Sequence, residues 1–170
     1  GRTDAAAPLI ASLDKQVRKR GRALAAVAKA EGALAARKPV DAIDTLIAAR
    51  NLADLWIVRY ALGRAYVEAG RHAEAVAELE ECQKRICEAA DVFLDDWPTF
   101  RYTVPLKYWL GRAQEGLGLK DSAAKNYQAY LAARGSEIRE RIRSEQSANR
   151  FIADLLHHAT SSVSTWAVGV

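Results

Sequence analysis

The sequence predicts an all-α chain built from repeated helix pairs, and three observations carry that prediction. Half of the 170 residues are hydrophobic, only four are Pro, and the abundant Ala, Leu, Arg and Glu are strong helix formers. The β-branched residues never fall into the alternating runs that mark half-buried strands. The segment YALGRAYVEAG at 60–70 returns as YWLGRAQEGLG at 108–118, aligning Tyr60 with Tyr108, Leu62 with Leu110, Gly63 with Gly111, Arg64 with Arg112, Ala65 with Ala113 and Gly70 with Gly118. A chain of this length buries roughly two thirds of its unfolded surface as one domain and needs no staple.

Residues 1–22 read as a basic leading helix. They hold Arg2, Lys15, Arg18, Lys19, Arg20 and Arg22 against Asp4 and Asp14, which accounts for the whole formal charge of +4. Such a helix could face nucleic acid or an acidic surface. No aromatic residue sits among the charges to stack on a base, so a solvated face is the preferred reading and no nucleic acid is expected. The absence of Met fits a processed chain or an excised part of a larger protein. No apolar stretch reaches the ~20 residues of a membrane span, and the N-terminus lacks the order of a secretory signal.

Residues 23–134 read as three repeats, at 23–54, 56–90 and 104–134. Twelve residues after Gly63 and Gly111 come Ala75 and Ala123, and four later Leu79 and Tyr127. Upstream, Ala30, Ala42, Leu46 and Ala49 repeat the skeleton 33 residues before the middle copy. These spacings resemble the tetratricopeptide repeat, a helix-turn-helix of about 34 residues with Leu-Gly-x-x-Tyr followed by Ala-x-x-x-Phe. Leu62-Gly63-x-x-Tyr66 with Ala75-x-x-x-Leu79, and Leu110-Gly111 with Ala123-x-x-x-Tyr127, meet most of that pattern. The family's early Trp is replaced by Arg59 and Lys107, its final Pro is missing, and Ala30 stands where Gly is commonest. The resemblance implies a superhelical stack.

In the second and third copies the Gly costs roughly 0.5–1 kcal/mol of helix propensity, so close packing has to compensate it. The expectation is that Gly63 faces the small Ala75, and that Gly63→Leu costs on the order of 1–3 kcal/mol or more. Gly70 and Gly118 stand where left-handed C-caps prefer Gly, and Pro39 opens a second helix, where a missing N–H does no harm.

The 48-residue offset leaves an aromatic insertion at 91–103 containing Phe93, Trp97, Phe100 and Tyr102. The preceding helix is expected to run to about Ala90. The insertion is then expected to form an ordered loop whose rings cover helix ends as a local core, or else line a ligand groove. FLDDWPTFRYTVPLKYWLGRAQEGLG at 93–118 also resembles tetratricopeptide regions of large bacterial proteins, some of which carry signalling domains such as kinases, although no kinase motif occurs here. Residues 135–160 read as a capping helix, with Ser136 as N-cap and Ile138, Ile142, Ile152, Leu155 and Leu156 on its apolar stripe. Residues 161–170 form a tail whose Trp166 could dock onto another copy.

Chemistry finds little support. Cys82 and Cys87 diverge by about 140° on a helix and cannot bridge, and Cys82 reads as a small core residue. Free thiols favour a reducing compartment, so a cytoplasmic location is expected, with the periplasm compatible. His157 and His158 diverge, His72 is expected in an exposed turn, Asp95-Asp96 suit a turn, and Ser161, Ser162 and Ser164 have no evident base. No metal, cofactor or enzymatic activity is expected.

The resemblance places ligand contacts on the first helix of each pair. With Gly63 and Gly111 as eighth positions, the fifth and ninth are Tyr60 and Arg64, then Tyr108 and Arg112, while the first copy offers Val27 and Glu31. Val67, Glu68 and Glu115 extend the candidate partner-binding set. A guanidinium beside an aromatic ring suits an acidic peptide or a C-terminal carboxylate, although the family's Lys-Asn-Arg clamp is not recognisable. The competing reading is plain helix pairing, Arg64 with Glu68 and Arg112 with Glu115, worth a few tenths of a kcal/mol each. The expected function is non-catalytic binding of a peptide or partner domain in a concave groove. The alternative is self-association, as a homo-oligomer, through the capping helix and tail.

Overall fold

The structure, a computed structural model, describes residues 3–92 and 97–135, with side chains over 6–89 and 103–135. The capping helix beyond residue 135, the 161–170 tail, Asp95-Asp96 and the insertion's aromatic side chains lie outside the described residues. Two units are distinguished, Gly1–Tyr130 and Leu131–Val170, and of the second only the helical residues 131–135 are described. Among the described residues every regular element is helical. In chain order they are α1 (Thr3–Asp14), α2 (Lys19–Ala35), α3 (Pro39–Leu52), α4 (Trp56–Glu68), α5 (His72–Lys84), a 3-10 segment Ile86–Val92, α6 (Trp97–Gly116) and α7 (120–135).

The leading helix stops at Asp14 rather than near residue 22. A break at 15–18 lets α1 fold back along α2, where Asp14 pairs with Lys29. Gly21 leaves room for the Gln16 side chain at the bend. Lys19, Arg20 and Arg22 therefore belong to the first turn of α2.

From α2 onwards the chain runs as antiparallel pairs. In the middle pair Trp56 meets Cys82 and Gly63 meets Leu79; in the next, Tyr108 meets Tyr130, Gly111 meets Tyr127 and Gln114 meets Asn126. Each first helix ends in the same cap. Lys38 N–H donates to Ala33 O, Arg71 N–H to Tyr66 O and Leu119 N–H to Gln114 O, at 2.9, 2.8 and 2.9 Å. This is the Schellman pattern, and it needs a left-handed residue just before the donor. Gly70 (φ 73°) and Gly118 (φ 77°) supply it, and in the first copy Arg37 takes φ 58°.

The glycines face a different residue from the one expected. A Cβ on Gly63 would lie 2.6 Å from Leu79 Cγ, and one on Gly111 would lie 2.7 Å from Tyr127 Cε1. The large residue sixteen positions on, rather than the small Ala twelve on, fills the missing side chain's place. Ala75 and Ala123 are buried beside this contact, which lets the second helix come close enough for Leu79 and Tyr127 to reach.

The insertion is not a loop over its second half. α5 ends at Lys84, the 3-10 segment follows, and residues 97–103 are the opening turns of α6. Pro98 stands in the first turn, where its missing N–H costs no hydrogen bond. The core runs through α2 to α6 as one cluster that includes Leu46, Leu62, Leu79 and Leu106. The central α4 is buried around most of its circumference, with ten of its thirteen residues enclosed.

Candidate functional site

The first helices α2, α4 and α6 lie side by side, α2 touching α4 and α4 touching α6. Arg64, on α4, reaches both neighbours. Its Nη1 donates to Glu31 Oε1 on α2 at 2.6 Å, and its guanidinium lies 5.2 Å from the centre of the Trp109 ring on α6 and 5.9 Å from that of Tyr60. The side chain is 24 % exposed, so a cation–π contact of about 1 kcal/mol or more adds to the ion pair. The i+4 pairing of Arg64 with Glu68 is not made, because Glu31 occupies the guanidinium and leaves Glu68 exposed.

Tyr60 and Val67 do not belong to the accessible wall. Both are buried, Tyr60 stacked on Trp56 at 5.3 Å, because α4 is enclosed by neighbours on both sides.

One repeat along, the same pair of residues behaves differently. Tyr108 is partly exposed and packs edge-on against Trp109, close to Tyr127 and Tyr130. Arg112 is exposed, and its Nη1 donates to Tyr108 Oη at 3.1 Å with the ring centre at 6.0 Å. This hydrogen bond holds the guanidinium further above its usual pKa. Arg112 has no carboxylate in ion-pair range among the described residues. The pairing with Glu115 is not made, because the exposed Glu115 accepts instead from Tyr127 Oη at 2.7 Å. Burial, reinforced by that bond, pushes the Tyr127 phenol up to about 12.

Over residues 58–85 the chain matches the family model of the tetratricopeptide repeat, and the match covers almost all of α4 and α5. The chain contains a tetratricopeptide repeat. No curated protein and no solved structure matches it significantly. Tetratricopeptide repeats suggest protein partners and are generally non-catalytic.

One departure from the tetratricopeptide pattern becomes intelligible. Arg59, in place of the early Trp, forms a two-toothed pair with Asp54 at 2.6 and 2.9 Å and also reaches Glu78 Oε2 at 2.8 Å. Glu78 is buried between Arg59 and Arg50, and Arg85 ties Asp54 to Glu88. These ions join α3, α4, α5 and the 3-10 segment. Hydrogen bonding from Arg59 holds the Asp54 carboxyl below its usual range. The indole that Arg59 displaces stands one turn earlier as Trp56, whose Nε1 donates to Cys82 O at 2.8 Å.

Sequence reasoning missed Trp109. A signal existed, since the corresponding residues of the other copies are Ala61 and Ala28. His72 is not in an exposed turn. It opens α5, with its ring against Gly116, where a Cβ would collide, and with Nδ1 buried without a hydrogen bond. Among the described residues no group of three or more His, Cys, Asp or Glu is placed to hold a metal, and no helix is long and apolar enough to cross a membrane.

Proposed function

We propose that the wall formed by α2, α4 and α6 binds a polypeptide segment of a partner protein, without chemistry of its own, and that Arg112 receives a carboxylate of that segment. The observation that carries this reading is the contrast between two equivalent arginines. Arg64 is neutralised by Glu31 and covered by Trp109, whereas Arg112 is exposed and held in place by Tyr108 without an acidic partner among the described residues. A guanidinium held by a neutral phenol loses little freedom when it closes on a carboxylate through two parallel hydrogen bonds. Tyr108 and Trp109 add flat apolar surface beside it.

Glu68 lies near enough to act on Arg112 electrostatically, and Glu115 is one turn away. These two acids would repel a run of acidic residues. The fitting ligand therefore carries one carboxylate, a chain terminus or a lone acidic side chain, flanked by neutral or basic residues. Affinity capture with the chain, followed by peptide mapping, supplies the ligand for the test. Arg112→Ala is expected to weaken that peptide at least about tenfold, the scale of one charge-assisted hydrogen-bond pair, with the melting temperature unchanged. Unchanged affinity would remove Arg112 from the site.

A further inference from the structure

We infer that a second site, separate from the wall just described, lies in the cleft between α5, α6 and α7 and takes a small carboxylate. The cleft measures about 450 Å³. Each helix contributes residues one turn apart: Glu80, Gln83 and Lys84 from α5, Leu110 and Gln114 from α6, and Ser122, Lys125 and Asn126 from α7. Only the fold brings these three short sets together.

The key residue is Gln114. It occupies the repeat position that the preceding copy fills with the buried Tyr66, and it is itself only 7 % exposed. Asn126 Nδ2 donates to Gln114 Oε1 at 2.8 Å and also to Ser122 O at 3.3 Å. The first bond fixes the Gln114 amide so that its NH2 group is the free end, and this donor has no protein partner among the described residues. Gln114 lines the cleft, so this donor is open to an acceptor that enters it.

The rim favours the same kind of guest. Lys125 makes no ion pair among the described residues, and Lys84 reaches Glu81 only at 3.5 Å, with its side chain 73 % exposed. Lys84, Lys125, Gln83, Gln114 and Ser122 line the cleft together with Glu80, and Glu81 stands beside Lys84. A site rich in donors, with Lys125 outside any ion pair among the described residues and Leu110 in its lining, suits a carboxylate on a short carbon chain. That group can come from a free dicarboxylate or from an acidic side chain of a partner, and the two sources can be separated.

The test is a heteronuclear NMR titration of the full chain with succinate, with N-acetylglutamate methylamide and with inorganic phosphate, read at the side-chain amides of Gln83, Gln114 and Asn126. Saturable shifts with a carboxylate are expected, and both Gln114→Leu and Lys125→Gln should weaken binding on the order of tenfold. A response to succinate alone points to a free small molecule, and a response to the glutamate derivative alone points to a partner side chain. Two variants on different helices guard against a folding defect in either. The inference fails if no carboxylate gives saturable shifts at concentrations on the order of 50 mM, where Kd near 1 mM would already saturate. It fails equally if both folded variants bind as the parent does, or if phosphate binds as well as the carboxylates. Arg112→Ala leaves this titration unchanged, so its outcome is independent of the peptide wall.

Discussion

Gly63→Ala is a small change whose effect should reverse sign with its neighbour. In the parent chain the new methyl would sit 2.6 Å from Leu79 Cγ and 2.7 Å from Cδ2, where unstrained carbons stay about 3.5–4.0 Å apart. Leu79 is completely buried and must retreat by about 1 Å into a packed core. Overpacking of this kind costs typically 1–3 kcal/mol, and the gain in helix propensity from Gly to Ala returns about 1 kcal/mol. The net expectation is a destabilisation of about 0–2 kcal/mol. Leu79→Ala by itself should cost about 2–5 kcal/mol, since it empties the same place. In that background Gly63→Ala meets no obstacle and should stabilise by up to about 1 kcal/mol. Urea unfolding of the four proteins followed by circular dichroism gives the cycle, with a coupling of about 1–3 kcal/mol expected. Additive effects, or Gly63→Ala destabilising equally in both backgrounds, would refute the contact.

Further expectations follow from the caps, the ion network and the thiols. Arg37→Gly should raise stability by about 0.5–1 kcal/mol in the same unfolding assay, because Gly accepts the left-handed cap that Arg37 holds under strain. Glu78→Ala should cost about 1–3 kcal/mol, since it removes the carboxylate that Arg50 pairs with while Arg59 keeps only Asp54, and added salt should not rescue its melting temperature. Burial pushes the Cys82 thiol up to about 12 from 9.0. The folded chain therefore holds this proton more tightly than the unfolded chain, and melting temperature should decline as pH rises from about 9 towards 12. A disulfide reagent should label the exposed Cys87 quickly and Cys82 only on unfolding.

The legible part of the fold was what repeats. Gly70 and Gly118 were readable as caps because left-handed backbone favours Gly, while Arg37 in the same geometry was hidden by its side chain. The helix ends around the insertion were not legible. Residues 97–103 carry Pro98 and an aromatic run, and local preference cannot tell a proline in a loop from one in a first helical turn. At the candidate site, local spacing suggested Arg64 with Glu68. The partner actually used, Glu31, holds the same ninth position one repeat earlier, and stacking of first helices places like positions side by side. Arg112 escapes that fate because no acid stands at the equivalent point among the described residues. The clustering of Gln114 with Lys84 and Lys125 was beyond sequence reading, as it needs three helices in register.

The central claim is that glycines in the first helices receive a large residue from the second helix of the same pair. A NOESY spectrum tests it directly. Cross-peaks from Gly63 Hα to the Leu79 methyls, and from Gly111 Hα to the Tyr127 ring protons, are predicted together in one spectrum. A folded chain in which either glycine lacks its cross-peak, or shows one to another large side chain instead, would contradict the account.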